Sequence, residues 1–276
     1  MATTSRKPAV AGKFYPGSNK RLEQDIQNYL DNVEEWEEEI DQLYGVISPH
    51  AGYEFSGPIA AYSYSVLAKA SPKHLIIIAP SHHAYISGFT IYPGAYYETP
   101  LGKIPINQEL SNTISNNCSS VQRSKSGHQQ EHSLEVQLPF IQYVLEEDFD
   151  IIPIIAGDVD QTGLDVLSEE LSKINQKEEI VIVASSDLSH FHSYDQAVKK
   201  DRELINKLKD FEIDDLLVAH KSRKLEACGM IPINVLMQFA LNSGSPQFKE
   251  LNYRNSGDTT GEKGKVVGYL SAAIYE

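Results

Sequence analysis

Four short runs of almost continuous hydrophobicity constrain the fold of this chain more than any other feature. Each run is rich in Ile and Val and contains few polar residues, a pattern typical of β-strands that are covered on both faces. We therefore predict four buried strands, over Leu43–Ser48, His74–Ala79, Asp150–Ala156 and Glu179–Ser185.

Stretches with helical periodicity follow or separate these runs. A proline near the first helical position favours a helix start, and Pro58 and Pro232 have that placement. Strands that alternate with helices indicate βαβ units and a mostly parallel sheet. The predicted helices are Ile59–Lys69, Ser133–Glu146, Thr162–Ile174, Asp195–Leu208 and Pro232–Leu241.

The C-terminal part departs from this alternation. Phe248–Tyr253 and Val266–Ile274 have strand-like composition without a helix between them. We predict that they form an antiparallel edge of the sheet, joined by the polar loop Asn255–Lys265. No repeat or low-complexity linker divides the chain. The sequence therefore predicts a single α/β domain over residues 1–276, with a mostly parallel central sheet flanked by helices.

Acidic side chains outnumber basic ones, 38 to 24, and the formal net charge is −14. A nucleic-acid surface needs a basic face that replaces counterions, and an anionic membrane also attracts basic surfaces. We therefore expect neither partner. The densest acidic run, Glu34–Asp41, is interpreted as a solvated helix end or loop, with a docking site as the alternative.

Two cysteines, Cys118 and Cys228, are too few for a disulfide scaffold and indicate a reducing compartment. Residues Met1–Val10 lack the apolar core of a signal peptide. The longest apolar runs, such as Leu75–Pro80, fall far short of the roughly 20 residues that a membrane span requires. We expect a cytoplasmic protein that does not enter the membrane.

Histidines follow two of the four predicted strands directly, and a carboxylate and a histidine follow a third. His50 lies past the first strand, His82 and His83 past the second, and Asp187 and His190 past the fourth. Ligands of open α/β sheets bind outside the carboxyl ends of the strands, so parallel strands bring these residues to one edge. Imidazoles beside a carboxylate suit transition metals. We predict one metal site there, with one of the two adjacent histidines as a ligand and the other as its neighbour.

Two other interpretations of these residues stay open. Each histidine can stabilise its loop by hydrogen bonding without a metal, which explains any single histidine better than it explains three clusters on one edge. A Ser-His-Asp hydrolase finds its residue types within Ser185–His190. However, no G-x-S-x-G turn exposes a serine, and three triad members in one short loop rarely reach the required geometry.

Two further residues stand near predicted helix starts. His132 precedes a helix whose N-terminal partial positive charge would lower its pKa and keep it neutral. It is a candidate acid, base or hydrogen-bond donor, or else an exposed residue in front of the helix. Cys228 precedes the helix predicted from Pro232, where the pKa of a thiol can be depressed. It is a thiolate ligand or nucleophile, or else an inert buried cysteine.

In these motifs the chain resembles the MEMO family, which is named for a mediator of cell motility in animals. In bacteria and archaea the family is called the AmmeMemoRadiSam system protein B. Short pieces such as H-A-G-Y are weak alone, but the ordered set covers nearly the whole chain. The matching stretches are Pro8–Pro16, Pro49–Tyr53, Pro80–His83, Glu131–Glu135, Ser185–Asp187 with His190, Cys228-Gly229, Asn252-Tyr253 and Gly268–Leu270.

The resemblance implies a fold like that of class III extradiol ring-cleaving dioxygenases, which bind non-haem Fe(II) with two histidines and a glutamate. By this likeness His50 and His82 match the histidine ligands, and Cys228 takes the place of the glutamate. His190, beside Asp187, matches the acid/base histidine. A thiolate is a softer donor than a carboxylate and favours Zn, Cu(I) or iron–thiolate chemistry. Ring cleavage therefore does not follow from the fold alone.

The resemblance and the strand-end histidines lead to two hypotheses. The first is a non-haem iron-dependent oxidoreductase that acts on a small phenolic or related substrate, with Fe(II) as the expected metal and Cu or Zn as alternatives. The second is a metal- or peptide-binding interaction protein that keeps the fold without the reaction. The prokaryotic family name implies two candidate partners, an AMMECR-type protein and a radical-SAM protein.

Overall fold

The structure is a computed structural model, and it describes residues 4–34, 36–37, 39–145 and 148–276. Its strands are β1 (Ser5–Arg6), β2 (Leu43–Ser48), β3 (His74–Pro80), β4 (Phe89–Ile91), β5 (Tyr96–Thr99), β6 (Gly102–Pro105), β7 (Val121–Arg123), β8 (Asp150–Ala156), β9 (Ile180–Ser185), β10 (Asp187–His192), β11 (Gln247–Asn255) and β12 (Val266–Tyr275). Its helices are α1 (Asn19–Leu30), α2 (Tyr53–Ala70), α3 (Gln108–Asn117), α4 (Leu138–Leu145), α5 (Gln161–Asn175), α6 (Tyr194–Lys209), α7 (Leu216–Lys221), α8 (Met230–Ser243) and α9 (Ser256–Thr260), and a 3-10 helix covers Glu135–Gln137.

Four parallel strands form the middle of the main sheet, in the order β2-β9-β3-β8. On one side β12 pairs with β2 in antiparallel orientation, and β11 pairs with β12 in the same way. On the other side β4 pairs antiparallel with β8, and β7 follows β4. The sheet therefore has the predicted parallel centre and the predicted antiparallel C-terminal edge. As a whole it is mixed and not mostly parallel, because β4, β10, β11 and β12 all form antiparallel pairs.

Side chains of the central strands alternate between two hydrophobic cores. In β3, Ile76 and Ile78 face one core while Leu75 and Ile77 face the other, and all four are fully buried. Residues of α3, α5, α6, α7 and α8 complete the first core, and residues of α1, α2 and α4 complete the second. Burial on both faces explains why these strands are hydrophobic without interruption. The predicted fold class, a single α/β domain whose central sheet is flanked by helices, is confirmed.

Two helices begin earlier than their prolines indicated. Helix α2 begins at Tyr53 instead of Ile59, because the carbonyl of Gly52 already accepts a backbone N–H from Ser56 at 3.1 Å. Pro58 lies inside this helix and removes one backbone donor from it. Helix α8 begins at Met230, so Pro232 lies in its first turn, where the missing N–H has no intrahelical partner to lose.

The helix predicted from Ser133 begins later. The 3-10 helix starts at Glu135 and α4 starts at Leu138. The hydroxyl of Ser133 donates to the carbonyl of Pro80 at 2.8 Å, so this residue is held by the loop after β3. The predicted end of this helix, residue 146, lies outside the described residues. The same holds for positions 35 and 38 of the acidic run, whose described residues connect α1 to β2.

The sequence did not predict six shorter or peripheral elements of the fold, namely β4, β7, α1, α3, α7 and α9, and α9 lies within the predicted loop Asn255–Lys265. Two further features were also not predicted. A second sheet has the order β1-β5-β6, and its strands are only two to four residues long. The segment after β9, expected to be a loop, forms β10 and pairs with β12 through Asp187 and Tyr269, with irregular register. The polar sequence of β10 does not resemble that of the buried strands. This segment is a strand because it pairs with β12, and only part of it is buried.

Within the part of the chain that the structure describes, no helix combines the length and the apolar character that crossing a bilayer would demand.

Candidate metal centre

Three histidines meet at the carboxyl edge of the parallel strands. Strands β2 and β3 both pair in parallel with β9, so their carboxyl ends lie together. His50 follows β2, His82 follows β3, and His132 comes from the loop before the 3-10 helix. One ring nitrogen of each lies within 4.8 Å of the corresponding nitrogens of the other two. We call His50, His82 and His132 the histidine trio.

The rings of the trio are spaced evenly. Their centroids lie 5.3 Å apart for His50 and His82, 5.6 Å for His50 and His132, and 4.8 Å for His82 and His132. Imidazoles that share one tetrahedral ion, at metal–nitrogen distances of about 2.0–2.1 Å, place their centroids about 5 Å apart. The trio therefore has the spacing of three imidazoles around one ion.

The ring of His50 is oriented through its Nδ1. This nitrogen lies 2.8 Å from the hydroxyl of Ser185, and that hydroxyl donates its hydrogen to the carbonyl of Ser133 at 2.7 Å. The Ser185 oxygen also accepts from the Gln137 amide at 2.8 Å. Because the Ser185 hydrogen is already used, His50 must donate its Nδ1–H to this oxygen. Its Nε2 then carries a lone pair, and burial lowers the pKa of His50 well below the ordinary value.

His82 is oriented by the buried carboxylate of Glu131. The Nδ1 of His82 lies 2.9 Å from Oε1, and its backbone N–H donates to Oε2 at 2.6 Å. Burial would raise the pKa of Glu131, but the hydrogen bonds from His82 and Ser133 outweigh it and lower the pKa to about 2. The carboxylate is therefore ionised and holds the hydrogen on Nδ1, which leaves Nε2 of His82 free for a metal.

His132 completes the trio in a neutral form. Burial is the main cause that lowers its pKa, to about 4. The predicted cause, a helix N-terminus, is wrong, because the 3-10 helix begins only at Glu135. The ring of His132 packs on that of Phe14, with centroids 4.6 Å apart. The residue is thus part of the site and not an exposed helix neighbour.

Cys228 lies outside the trio and meets it at His50. Its Sγ is 3.1 Å from Nε2 of His50 and accepts the backbone N–H of Asp187 at 3.2 Å. Burial, followed by the nearby Asp187 carboxylate, raises the pKa of the thiol far above its ordinary value. Of the two interpretations of Cys228, the raised pKa agrees with the buried cysteine and not with a thiol of depressed pKa, because desolvation of the sulfur outweighs the start of α8 at Met230.

Asp187 and His190 border the trio on β10. The Oδ1 of Asp187 accepts the backbone N–H of His50 at 2.8 Å, and burial raises the pKa of this carboxyl to about 6. The Nδ1 of His190 lies 2.8 Å from the carbonyl of Leu188, so it carries the hydrogen and leaves Nε2 as the basic nitrogen. Both side chains therefore lie close enough to His50 to interact with it.

The other strand-end histidines do not join the trio. His83 is exposed, and its ring centroid lies 6.0 Å from that of His132. It also forms a second group with Glu131 and His132, but the Glu131 carboxylate already accepts hydrogen bonds from backbone and imidazole donors. His192 instead pairs with Glu226 at 2.7 Å.

A buried network ties the N-terminal segment to the loop that carries His132. Arg6 donates to the carbonyls of His128 at 2.9 Å and Glu131 at 2.7 Å, and forms an ion pair with Glu135. Glu135 also accepts from the hydroxyl of Tyr15 at 2.5 Å. We call residues 6–15 with their contacts to Glu131 and Glu135 the N-terminal clamp. Sequence reasoning matched these stretches to a family but gave them no role.

The serine hydrolase interpretation finds no support in this geometry. The side chains of Ser185, Ser186 and Ser189 are fully buried, and the hydroxyls of Ser185 and Ser186 each donate to a backbone carbonyl. None of the three serines is exposed to a substrate.

A sequence model of the family described as "Memo-like protein" matches residues 6–273. The chain belongs to the Memo-like protein family. A MEMO1 family protein of Thermoplasma volcanium is 36% identical over 266 residues, which cover 96% of this chain and 97% of the relative. Relatives of the same name in Nitrosopumilus maritimus (34% identity, 96% and 97% coverage) and Methanosarcina mazei (36% identity, 98% and 98% coverage) are similar to the same extent.

Among solved structures, the uncharacterized protein JW3007 from Escherichia coli K12 has a similar fold, with a TM-score of 0.55 at 13% sequence identity. The match covers 85% of this chain and all of that one. At this identity the likeness concerns the fold alone.

The candidate ligand and acid/base residues that the resemblance singled out lie close together around His50. The donor chemistry fits a transition metal, because Ser185 and Glu131 contact Nδ1 of His50 and of His82 and leave the other ring nitrogen of each for an ion. Metal ligands must be deprotonated, and a preset tautomer avoids the reorganisation that binding otherwise requires. Glu131, Ser185 and Gln137 were missed, since their roles depend on contacts between distant loops.

Proposed function

We propose that this Memo-like protein is a metal-dependent oxidoreductase that acts on a small phenolic or related substrate. His50 and His82 would hold the metal, with Fe(II) as the first candidate and Cu or Zn as alternatives. The observation that carries the proposal is the histidine trio, in which three rings with ordered neighbours surround one point. A bound metal would supply Lewis-acid and redox chemistry at this crevice.

The chain's own residues would handle the proton of the substrate. The Nε2 of His190 is the free nitrogen of a ring fixed by Leu188, and a histidine suits general base catalysis near neutral pH. Asp187 holds the backbone of His50 in place through the 2.8 Å hydrogen bond. A substrate hydroxyl in the crevice would give its proton to His190, while Asp187 keeps the ligand loop in position.

The test is anaerobic loading with Fe(II), followed by oxygen uptake with a panel of catechols and related phenols. We expect uptake by the wild-type protein and loss of both iron and uptake in His50→Ala. His190→Ala should retain iron and lose activity by about 10²–10⁴-fold, the usual share of an acid/base residue. His192→Ala serves as the matched control, because that histidine pairs with Glu226 outside the trio. Iron-loaded protein that takes up no oxygen across the panel would refute the oxidoreductase.

A second candidate is a metal- or peptide-binding protein that keeps the fold without the reaction. Two exposed aromatic side chains favour this second role. Tyr85, two residues after His83, is 86% exposed, and Phe191, directly after His190, is 70% exposed. Large exposed aromatic residues beside a crevice are a feature of protein-binding surfaces. The candidate partners are an AMMECR-type protein and a radical-SAM protein. Both cysteines are free thiols, which suits the cytoplasm as the proposed location.

Co-purification with each candidate partner tests this second role. We expect Tyr85→Ala and Phe191→Ala to weaken capture while leaving metal content unchanged. Val218→Ala is the matched control, since Val218 is another exposed apolar side chain but belongs to α7 and not to the segments that carry His83 and His190. Equal capture by all three variants would contradict the proposed surface.

A further inference from the structure

We propose that Asp201 is a positioning residue for His190, and that it acts through the peptide bond between Leu188 and Ser189. The inference rests on the proposed function, in which His190 is the base, and it concerns only how that histidine is held. Asp201 lies on α6, and Tyr253 of β11 holds its carboxylate in turn.

Asp201 is a fully buried carboxyl group whose two oxygens are both engaged. Oδ1 accepts the backbone N–H of Ser189 at 2.9 Å, and Oδ2 accepts the hydroxyl of Tyr253 at 2.8 Å. Both donors are neutral groups, and burial raises the pKa of Asp201. A buried carboxylate costs free energy unless it is hydrogen-bonded. Its direction is therefore set by two strands, β10 and β11.

The peptide bond between Leu188 and Ser189 connects Asp201 to His190. Its N–H belongs to Ser189 and donates to Asp201, and its carbonyl belongs to Leu188 and lies 2.8 Å from Nδ1 of His190. A trans peptide unit is planar, so its N–H and its C=O point in opposite directions. An acceptor that fixes the N–H therefore also fixes the carbonyl, and the carbonyl orients the imidazole.

The same row of hydrogen bonds transmits the charge of the carboxylate. Hydrogen bonds in series polarise and strengthen one another. Asp201 therefore makes the Leu188 carbonyl a better acceptor, which keeps the hydrogen of His190 on Nδ1. The Nε2 atom then has the lone pair that a general base needs.

The pairing of β10 with β12 is irregular at this peptide. Leu188 and Ser189 face a single residue of β12, Gly268, between the pairs on either side. A β-bulge of this kind interrupts the ladder and redirects a nearby side chain. Asp201 accepts the N–H of Ser189 at this interruption. Gly268 leaves room for the carboxylate, because a Cβ atom at this position would clash with Oδ2.

A second irregularity follows directly after His190. Phe191 has a φ of 63°, in the left-handed region that bulky side chains rarely adopt. Such conformations cost free energy, persist only where the surroundings enforce them, and cluster at active sites. The backbone on both sides of His190 therefore departs from regular strand geometry and needs support from outside the strand. Asp201 supplies that support on the side of Ser189.

Tyr253 is held in place as well. The guanidinium of Arg202 lies 4.4 Å from the centre of its ring, and Arg202 also pairs with Glu250 at 2.6 Å. These contacts keep the hydroxyl of Tyr253 on Asp201. They also give a role to two stretches that matched the family, because Tyr253 supplies a donor to the carboxylate and Gly268 supplies the space for it.

The position of the hydrogen on the His190 ring is the direct readout, and ¹⁵N NMR of the metal-free protein measures it. The spectra are recorded at about pH 8, where imidazoles are largely neutral. The signals of His190 are identified by their loss in His190→Gln. We expect the wild type to carry the hydrogen on Nδ1. A wild type that carries it on Nε2 would overturn the inference.

Variants of the carboxylate and its donor test the cause. Asp201→Ala should lose the Nδ1–H form of His190, because nothing holds the N–H of Ser189. Asp201→Asn should retain it, since the amide oxygen can still accept from Ser189 and the amide N–H can donate to the Tyr253 oxygen. Tyr253→Phe should shift the signals in the same direction as Asp201→Ala, and it decides the question if Asp201→Ala does not fold. Unchanged His190 signals in the folded variants would overturn the inference.

Tyr44→Phe is the matched control. Tyr44 is a fully buried tyrosine of β2 whose hydroxyl also donates to a carboxylate, that of Glu276. Its loss should leave the His190 signals unchanged, and a shift as large as that in Tyr253→Phe would overturn the inference. The NMR measurement needs neither metal nor turnover. Absent oxygen uptake therefore refutes only the oxidoreductase, whereas unchanged signals in the variants refute only the positioning role.

Discussion

At the scale of residues, the hydroxyl of Ser185 decides which nitrogen of His50 carries the hydrogen. It accepts from Nδ1 of His50 and from Gln137 while it donates to the carbonyl of Ser133. The chemistry of the histidine therefore depends on a serine that never contacts a metal. The tautomer of His50 could therefore not be predicted from the positions of the histidines alone.

Ser185→Ala tests this dependence. We expect Zn(II) affinity to fall by about 10–100-fold, because the orientation of His50 and its tautomer lose their support. Isothermal titration measures the change. Ser63→Ala is the matched control, since Ser63 is also fully buried with two hydrogen bonds, to Ile47 and Ser271. A similar loss of affinity in both variants would show that stability, rather than ligand orientation, is responsible.

The buried His128 makes the free energy of unfolding depend on pH, independently of the histidine trio. It is fully buried between Tyr97 and Thr90, and burial is the main cause that lowers its pKa to about 3. An unfolded histidine binds its proton below about pH 6.5. The contribution of His128 is therefore complete above about pH 6.5 and is lost as the pH falls toward 3, at up to about 1.4 kcal/mol per pH unit.

The measurement is urea unfolding of wild type and His128→Gln between pH 5 and 8. The free energy of unfolding of the wild type should decrease more steeply toward low pH than that of the variant. The difference at pH 8 isolates the loss of packing and hydrogen bonds. Parallel pH profiles of the two proteins would contradict the assignment.

At the scale of elements, the N-terminal clamp makes the first strand part of the site. Strand β1 belongs to the small sheet, yet Arg6 reaches the carbonyl of Glu131 and the carboxylate of Glu135. Phe14, from the same segment, packs on His132. The loop that presents His132 is therefore held from outside the main sheet.

Glu135→Gln should destabilise the protein by about 3–5 kcal/mol, because Arg6 would keep a buried charge without its partner. Zn(II) affinity should fall as well, since the clamp positions the loop. Urea unfolding and titration measure the two effects. The control Lys7→Ala removes an exposed ion pair with Glu98. Such a pair contributes at most about 1 kcal/mol to the free energy of unfolding. If Glu135→Gln were as mild as this control, the clamp would have no structural role.

Elements buried on both faces were predictable, and elements made by pairing were not. Strand β3 is apolar throughout because its two faces meet two cores. Strand β10 is polar and exists through its pairing with β12. The same distinction applies to the site. The ends of the buried strands predicted the position of His50 and His82, but contacts between distant loops, such as that of Glu131 with His82, were not predictable. The direction of the pKa shift of Cys228 stayed open, because the sequence indicates a helix start but does not show how deeply the sulfur is buried.

At the scale of the whole molecule, the helices on both faces of the main sheet predict that local stability is highest in the central strands and lower in the small sheet. The amides of β3 and β9 lie between two cores, whereas β1, β5 and β6 form a small separate sheet. Backbone amides in such a centre exchange with solvent mainly through global unfolding. Hydrogen exchange followed by mass spectrometry should show the slowest exchange in β3 and β9. Equally slow exchange in the small sheet would contradict this gradient.

Strand β12 has a consequence for how the protein is made in the cell. It pairs with β11 along one edge and with β10 and β2 along the other. During synthesis on a ribosome, β2 emerges more than two hundred residues before its neighbour on that side. The edge of β2 that faces β12 therefore stays unpaired until residues 266–275 have left the exit tunnel. His190, on β10, depends on the same strand, so the surroundings of the histidine trio take their final shape only after β12 has been made.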